Sequence, residues 1–346
     1  MKMLLPVLLA VLTITGCNDS REPLEVSLKA IRTYGWPATV IDPAPDWKPG
    51  SYALVARSMD GFSILEEGGP GERRFSADDR RESSNPRWLN REQFVFGPGW
   101  NARRAPDGSV TTPSDGLTIV TMKDGRPLSK VQLCDRGSMP KPAGDAHIVA
   151  QDGNHIISID SRGRITEFGE GFDAEPQPDG PGLCWRDSPA FTPDWWTGRT
   201  GPGVMHVRWS RGHTDDVAHA VQAAWTRQGG VLATVLNAPA PAGQPWWAGG
   251  TSIVHLAGPG APPTLVRAGA RDPAAHPAAE LCAWTGEDGG VWIGTLRAGP
   301  AGWSERVAVA GSRPRWSHDG MRLTWLETPA AGAQLPAIRV VVLTVR

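Results

Sequence analysis

Hydrophobic and polar residues alternate with period two along most of the chain, in short runs separated by Gly, Pro, Asp and Asn. That period marks strands with one buried face, and the separating residues are those that close tight turns. Residues 52–57 and 62–65 flank Met59-Asp60-Gly61, residues 146–150 and 155–160 flank Asp152-Gly153-Asn154, and residues 117–122 run into Asp124-Gly125 ahead of a strand over 129–133. Asp and Asn bond back to their own backbone and Gly accepts positive φ, so each cluster predicts an antiparallel hairpin.

Two stretches show that these hairpins repeat. In SRPRWSHDGMRLTWL, Pro314, Arg315 and Trp316 form an extended run, Ser317-His318-Asp319-Gly320 supplies a turn, and Leu323 and Trp325 alternate with Arg322 and Thr324. Asn85-Pro86-Arg87-Trp88 repeats the Pro-x-Trp signature without the Asp-Gly turn. Separately, Ala223-Ala224-Trp225-Thr226, Gly229-Gly230 and residues 231–236 match Cys282-Ala283-Trp284-Thr285, Gly289-Gly290 and residues 291–296 almost residue for residue. If both copies are the second strand of a sheet, the chain holds six sheets and residues 252–256 with 264–266 form an extra hairpin. If the earlier copy is a first strand there are seven, starting near residues 49, 84, 143, 181, 218, 272 and 312, and this is the favoured count.

The run from Pro314 to Leu326 resembles the Pro-x-Trp-Ser-Pro-Asp-Gly repeat of TolB-type β-propellers, with His318 where that family has its second proline, a change expected to affect turn stiffness alone. The resemblance implies an all-β propeller of four-stranded antiparallel blades, seven or alternatively six, in which neighbouring blades bury one another's apolar faces. It implies contact with a protein or cell-wall partner through one face of the ring. Pro314, Trp316, Asp319 and Gly320 carry over as structural positions. Residues 24–28 alternate as a strand placed to complete the last blade.

The N-terminus reads differently from the rest. Residues 1–16 place Lys2 ahead of an apolar run too short to span a bilayer, as in a secretory signal peptide, and Ile14-Thr15-Gly16-Cys17 resembles a bacterial lipobox. The expected organisation is a signal peptide over 1–16, a lipidated tether and ring-closing strand over 17–48, and a propeller over 49–346. Acyl chains on Cys17 would hold the chain at a membrane of the cell envelope, facing the periplasm or exterior.

Composition narrows the function. Lys and Arg number 35 against 36 Asp and Glu, so no basic surplus points to nucleic acid. With 41 Gly and 32 Pro in 346 residues, turns are frequent and long helices excluded, and 16 Trp supply large plates for sheet interfaces or for ligand platforms. Cys134, Cys184 and Cys282 form no CxxC pair or metal-type spacing, which favours buried apolar cysteines with room for one disulfide.

Chemistry-bearing clusters are few. Arg211-Gly212-His213-Thr214-Asp215-Asp216-Val217-Ala218-His219 is the densest set of metal-ligand types: one helical turn would aim Asp215, Asp216 and His219 together, with His213 joining from the preceding loop. Trp195-Trp196 and Trp246-Trp247 lie in Pro/Gly-rich insertions, where exposed plates could anchor a protein or stack on sugar rings and buried ones would cap the core. No G-x-S-x-G elbow, P-loop or dinucleotide fingerprint is present, so no catalytic residue and no cofactor are assigned. The expected function is a non-enzymatic, lipid-anchored scaffold; its rival is a carbohydrate-binding or carbohydrate-active propeller with its site at the channel mouth.

Overall fold

A computed structural model of the chain describes residues 26–34, 46–58, 61–66, 72–76, 83–98, 103–104, 110–111, 116–144, 147–187, 203–209, 212–241, 244–296, 303–327 and 337–345. Cys17 and the signal-peptide residues lie outside them, as do Trp195 and Trp196.

The described residues form seven four-stranded antiparallel sheets, the blades of a propeller, six of them with their strands in chain order, and one two-stranded ribbon of Arg103–Arg104 with Val110–Thr111. Blade 1 comprises Asp46–Trp47, Ala53–Ser58, Gly61–Glu66 and Glu72–Ser76; blade 2 comprises Ser83–Trp88, Gln93–Pro98, Leu117–Lys123 and Arg126–Cys134. Blade 3 comprises Ser138–Ala143, His147–Asp152, His155–Asp160 and Ile165–Glu170; blade 4 comprises Phe172–Pro176, Leu183–Arg186, Val204–Arg208 and Thr214–Ala218. Blade 5 holds Ala220–Trp225, Val231–Leu236, Thr251–Leu256 and Thr264–Ala268, and blade 6 holds Ala270–Ala275, Leu281–Gly286, Val291–Thr295 and Ser304–Ala308. Blade 7 takes Ser312–Trp316, Arg322–Glu327 and Ala337–Val345, and its fourth strand is Val26–Tyr34, which pairs antiparallel with Ala337–Val345. The ring therefore closes through the N-terminal strand.

First strands of successive blades lie against one another and surround the axis. Fourth strands are the exposed rim: Arg126–Cys134 and Ile165–Glu170 are mostly solvent-facing. The core is divided among the blade interfaces. Seven hydrophobic clusters occupy the seven interfaces in turn. Phe62 and Ile64 of blade 1 meet Trp88, Phe94 and Val120 of blade 2; Leu326 and Ile338 of blade 7 meet Trp47 and Leu54 of blade 1. A lone sheet would leave one such face in water, so each blade depends on two neighbours.

The repeated Trp has a specific job. At the end of the first strand, the indole N–H of one blade donates to a first-strand carbonyl of the blade before it. Trp47 donates to Arg315 O at 3.4 Å, Trp225 to Glu175 O at 2.9 Å and Trp316 to Ala274 O at 3.0 Å. Trp88 occupies the same place but is joined to blade 1 another way: its backbone N–H donates to Asp46 Oδ2 at 2.8 Å, and its indole N–H has no partner among the described residues.

The two Ala-Trp-Thr copies resolve into different strands, which gives seven blades and not six. Trp225 ends a first strand and pairs with Val231, whereas in the later copy Thr285 pairs with Val291 and belongs to a second strand. One additional residue before Gly289-Gly290 accounts for the slip, and a one-residue slip turns each side chain to the opposite face.

His318 does more than tune turn stiffness. Its Nε2 lies 2.8 Å from Trp47 O, so it ties the blade 7 turn to blade 1. In the same turn Ser317 Oγ and the Met321 amide donate to Asp319 Oδ1 at 2.6 and 3.0 Å. Burial would raise the Asp319 carboxyl; the hydrogen bonds from Ser317, Met321 and Tyr52, with Arg322 nearby, hold it below its ordinary range.

Candidate binding face

Because strands run antiparallel in chain order, the turns joining first to second strands collect at one end of the ring, and the connections from second to third strands collect at the other. Three of the latter connections are short, at 59–60, 153–154 and 287–290, and four are long, at 99–116, 187–203, 237–250 and 328–336. The long connections therefore share one face. Trp246 and Trp247 are carried on it.

Trp246 and Trp247 sit in the blade 5 connection, on a short 3-10 helix, Trp246–Gly249, that contains no buried residue. The loop is tied at its base: Asn237 N donates to Gly250 O at 3.0 Å, and Ser252 Oγ donates to Asn237 Oδ1 at 3.0 Å. The two indoles meet edge to face at 5.5 Å. Trp246 is half-buried, Trp247 is 41% exposed, and the Arg271 guanidinium lies 4.7 Å from the Trp247 ring centroid. Burial lowers the Arg271 pKa against the pull of Asp272, Asp288 and Glu287.

Beneath these loops the first strands enter the ring through a repeated distortion. A bulge interrupts pairing after Ser84, Ser138, Phe172, Ala220, Arg271 and Ser312. Met139, Asp173, Asp272 and Arg313 adopt positive φ of 49–54° in or beside four of them, a conformation that costs about 1 kcal/mol or more at each non-glycine residue. Side chains support it. Asp272 accepts from Gln222 Nε2 at 2.6 Å and from Thr285 Oγ1 at 2.9 Å, and its amide donates to Gln222 Oε1 at 3.0 Å, so blades 5 and 6 are joined there.

Blade 4 differs. Arg186 is 1% exposed, its Nη1 lies 3.5 Å from Asp173 Oδ2, and none of its three guanidinium nitrogens hydrogen-bonds a described residue. Burial lowers its pKa, opposed by Asp173 and Asp187.

The cluster around residues 213–219 is not a helical turn. Thr214–Ala218 is the outer strand of blade 4, and its period of two sends Asp215 and Asp216 to opposite faces. Asp215 bonds His213 Nε2 at 2.8 Å, Trp209 Nε1 at 2.6 Å and the Gly260 amide at 2.9 Å, tying blade 4 to a blade 5 loop. Asp216 bonds His206 Nδ1 at 2.7 Å, and His219, at φ 60°, leads into blade 5. Among the described residues no three His, Cys, Asp or Glu side chains converge as a metal site. Cys134, Cys184 and Cys282 belong to blades 2, 4 and 6 and are free thiols, so the disulfide considered from sequence does not form.

No protein-family model matches the chain. No curated protein matches it either. Among solved structures, the chain is similar to one described as the crystal structure of the Mitotic Checkpoint Complex, with 12% identity and a TM-score of 0.57 over 99% of this chain and 98% of that one. It is similar to the WD40 repeats of RRP9 (9% identity, TM-score 0.53, 92% of this chain and 100% of that one) and to U3-55K (8%, 0.55, 91% and 100%). At such identities the likeness is one of fold, and the fold is the β-propeller.

Proposed function

We propose that the chain is a lipid-anchored, TolB-like propeller of a bacterial cell envelope that binds a protein partner through the face carrying the long second-to-third-strand connections. One observation carries this reading: Trp247, exposed and stacked on Arg271, stands on a tied loop at the end of the ring from which the second-to-third-strand connections leave. Trp and Arg are the residue types that concentrate binding energy at protein interfaces. A propeller supports such use because its interface-packed core leaves its end loops free to vary.

The carbohydrate-active alternative receives less support. Each described carboxylate with a displaced pKa is displaced downward, at Asp160, Glu175, Asp215, Asp288 and Asp319. A general acid needs displacement upward. Lipid anchoring is supported by the Gly16-Cys17 junction after an apolar run. Two experiments test the proposal. Growth with a labelled fatty acid should mark the wild-type chain and not Cys17→Ala; label on both, or on neither, rejects the anchor. Cross-linking in the native envelope should capture one dominant protein with the wild-type chain; enrichment of polysaccharide without protein would favour the alternative.

A further inference from the structure

The channel itself carries an unexplained charge arrangement. In six blades the first strand is followed by an amide that closes the hairpin to the second strand, at Lys48, Leu89, Gln177, Thr226, His276 and Ser317. Two residues before each closing amide stand Asp46, Arg87, Glu175, Ala224, Ala274 and Arg315. In blade 3, Lys141 is the first residue paired after the bulge, as Arg87, Glu175 and Arg315 are in theirs, and its Nζ lies 2.6 Å from Glu175 Oε2. These residues form one tier around the axis.

The tier is lopsided. Three cations come from blades 2, 3 and 7, whereas blade 5 offers only the half-buried methyl group of Ala224, and Ala274 of blade 6 is buried in the core between blades 6 and 7. Asp46 is engaged by the Trp88 amide at 2.8 Å, and Glu175 by Lys141. Arg315 is half-buried and makes no side-chain hydrogen bond or ion pair with any described residue, although its carbonyl accepts from Trp47. Burial pushes the Glu175 carboxyl up, yet Lys141, Arg315 and Arg87 together bring it below its ordinary range. Charges on blades 2 and 7 thus act on a carboxylate of blade 4, beside the direct Lys141–Glu175 contact, although Arg87 itself is buried with its Nη1 3.4 Å from Pro86 O.

We propose that this tier binds a small oxyanion on the channel axis, held by Arg315 and Lys141 with Arg87 beside them, on the side where blade 5 offers only Ala224. Arg315 brings a planar fork of donors matched to two oxygens of one ligand, and Lys141 has donors beyond the one used on Glu175. Glu175 limits affinity, since its carboxylate competes for the same cations. A bound anion would join blades 2, 3 and 7 across the axis, where no covalent link does.

The probe is inorganic phosphate, titrated against the full-length chain at constant ionic strength while the thermal midpoint is followed, with acetate in a parallel series. A saturable rise in midpoint with either anion, and none with chloride, is expected. Response to phosphate alone identifies a phosphate-type ligand; response to acetate alone identifies a carboxylate, such as a side chain or terminus of a protein. Arg315→Gln should weaken binding roughly tenfold or more, and its half-buried side chain, which hydrogen-bonds no described residue, gives no reason for misfolding. Glu175→Gln should tighten binding, an effect that a merely structural Glu175 would not produce. Lys130→Gln, an equal charge loss on the outer strand of blade 2, should change nothing. No saturable response, equal affinity in Arg315→Gln, or weaker binding in Glu175→Gln overturns the site.

Discussion

The indole links between blades predict that one substitution will have two different costs at equivalent places. Trp316→Phe and Trp88→Phe each remove the same ring area from a buried interface position. Trp316→Phe also removes the 3.0 Å bond to Ala274 O, a buried contact between blades 7 and 6. Trp88→Phe removes a buried N–H that has no acceptor. A lost buried hydrogen bond costs about 1 kcal/mol, and an unpaired buried donor already costs about 1–3 kcal/mol. The shared loss of area cancels in the comparison, so Trp316→Phe should be more destabilising than Trp88→Phe by about 2–4 kcal/mol. Urea unfolding followed by far-ultraviolet circular dichroism measures the difference, provided that both variants unfold with the wild-type m-value. Equal destabilisation, or a larger loss in Trp88→Phe, would refute the claim that the repeated Trp acts through its N–H and leave packing as its whole role.

Further outcomes are expected elsewhere in the ring. In a Cys17→Ser background, a thiol reagent should reach Cys134 first in the folded chain and Cys184 and Cys282 only after unfolding, because burial pushes Cys282 up to about 12 and Cys184 upward as well; fast labelling of all three would contradict the burial. Burial lowers the His276 pKa against its bond to Gly320 O, so the unfolded chain takes up its proton first and stability falls as pH drops through about 6.5. His255 acts in the same direction. Thermal midpoints from pH ~7.5 to ~5.5 should therefore fall in the wild type and fall less in His276→Asn, which keeps an acceptor for the Ala278 and Ala279 amides; unchanged slopes would refute the assignment. Replacing Arg186 and Asp173 together by Met and Asn should stabilise the chain by about 1–3 kcal/mol, whereas Asp173→Asn alone, leaving a buried guanidinium without its partner, should cost about 3 kcal/mol. Urea midpoints decide between these and the opposite order.

Much of the fold is legible in the residues because turn chemistry and period two are local. Pro86-Arg87-Trp88 and Pro314-Arg315-Trp316 mark first strands directly, and five of the seven expected starts fall within three residues of the observed ones, whereas 143 falls at the end of the blade 3 first strand and 181 beyond the blade 4 first strand, Phe172–Pro176. Position within a blade is less legible. The two Ala-Trp-Thr copies use the same turn residues in different strands, and only the pairing of Trp225 with Val231 against that of Thr285 with Val291 separates them. The reading of Asp215, Asp216 and His219 as one helical face failed because spacing alone cannot distinguish a turn of helix from a strand that alternates. Side-chain links across blades, such as His318 to Trp47 O, join residues 271 positions apart and leave no local trace. The channel tier was half visible: Arg87 and Arg315 hold the middle of the Pro-x-Trp signature, but Lys141 and Glu175 lack its Trp and become equivalent only once strands are paired.

The proposed partner binding belongs to one end of the ring. Capture from cross-linked envelope by the wild-type chain, by Trp246→Ala/Trp247→Ala and by Met321→Ala tests it most directly, because Met321, 44% exposed, lies in a first-to-second-strand turn at the opposite end. One dominant protein is expected, lost with the paired Trp change and retained with Met321→Ala at equal thermal stability. Retention by the Trp variant, or loss with Met321→Ala alone, would place the interface on the other face and contradict it.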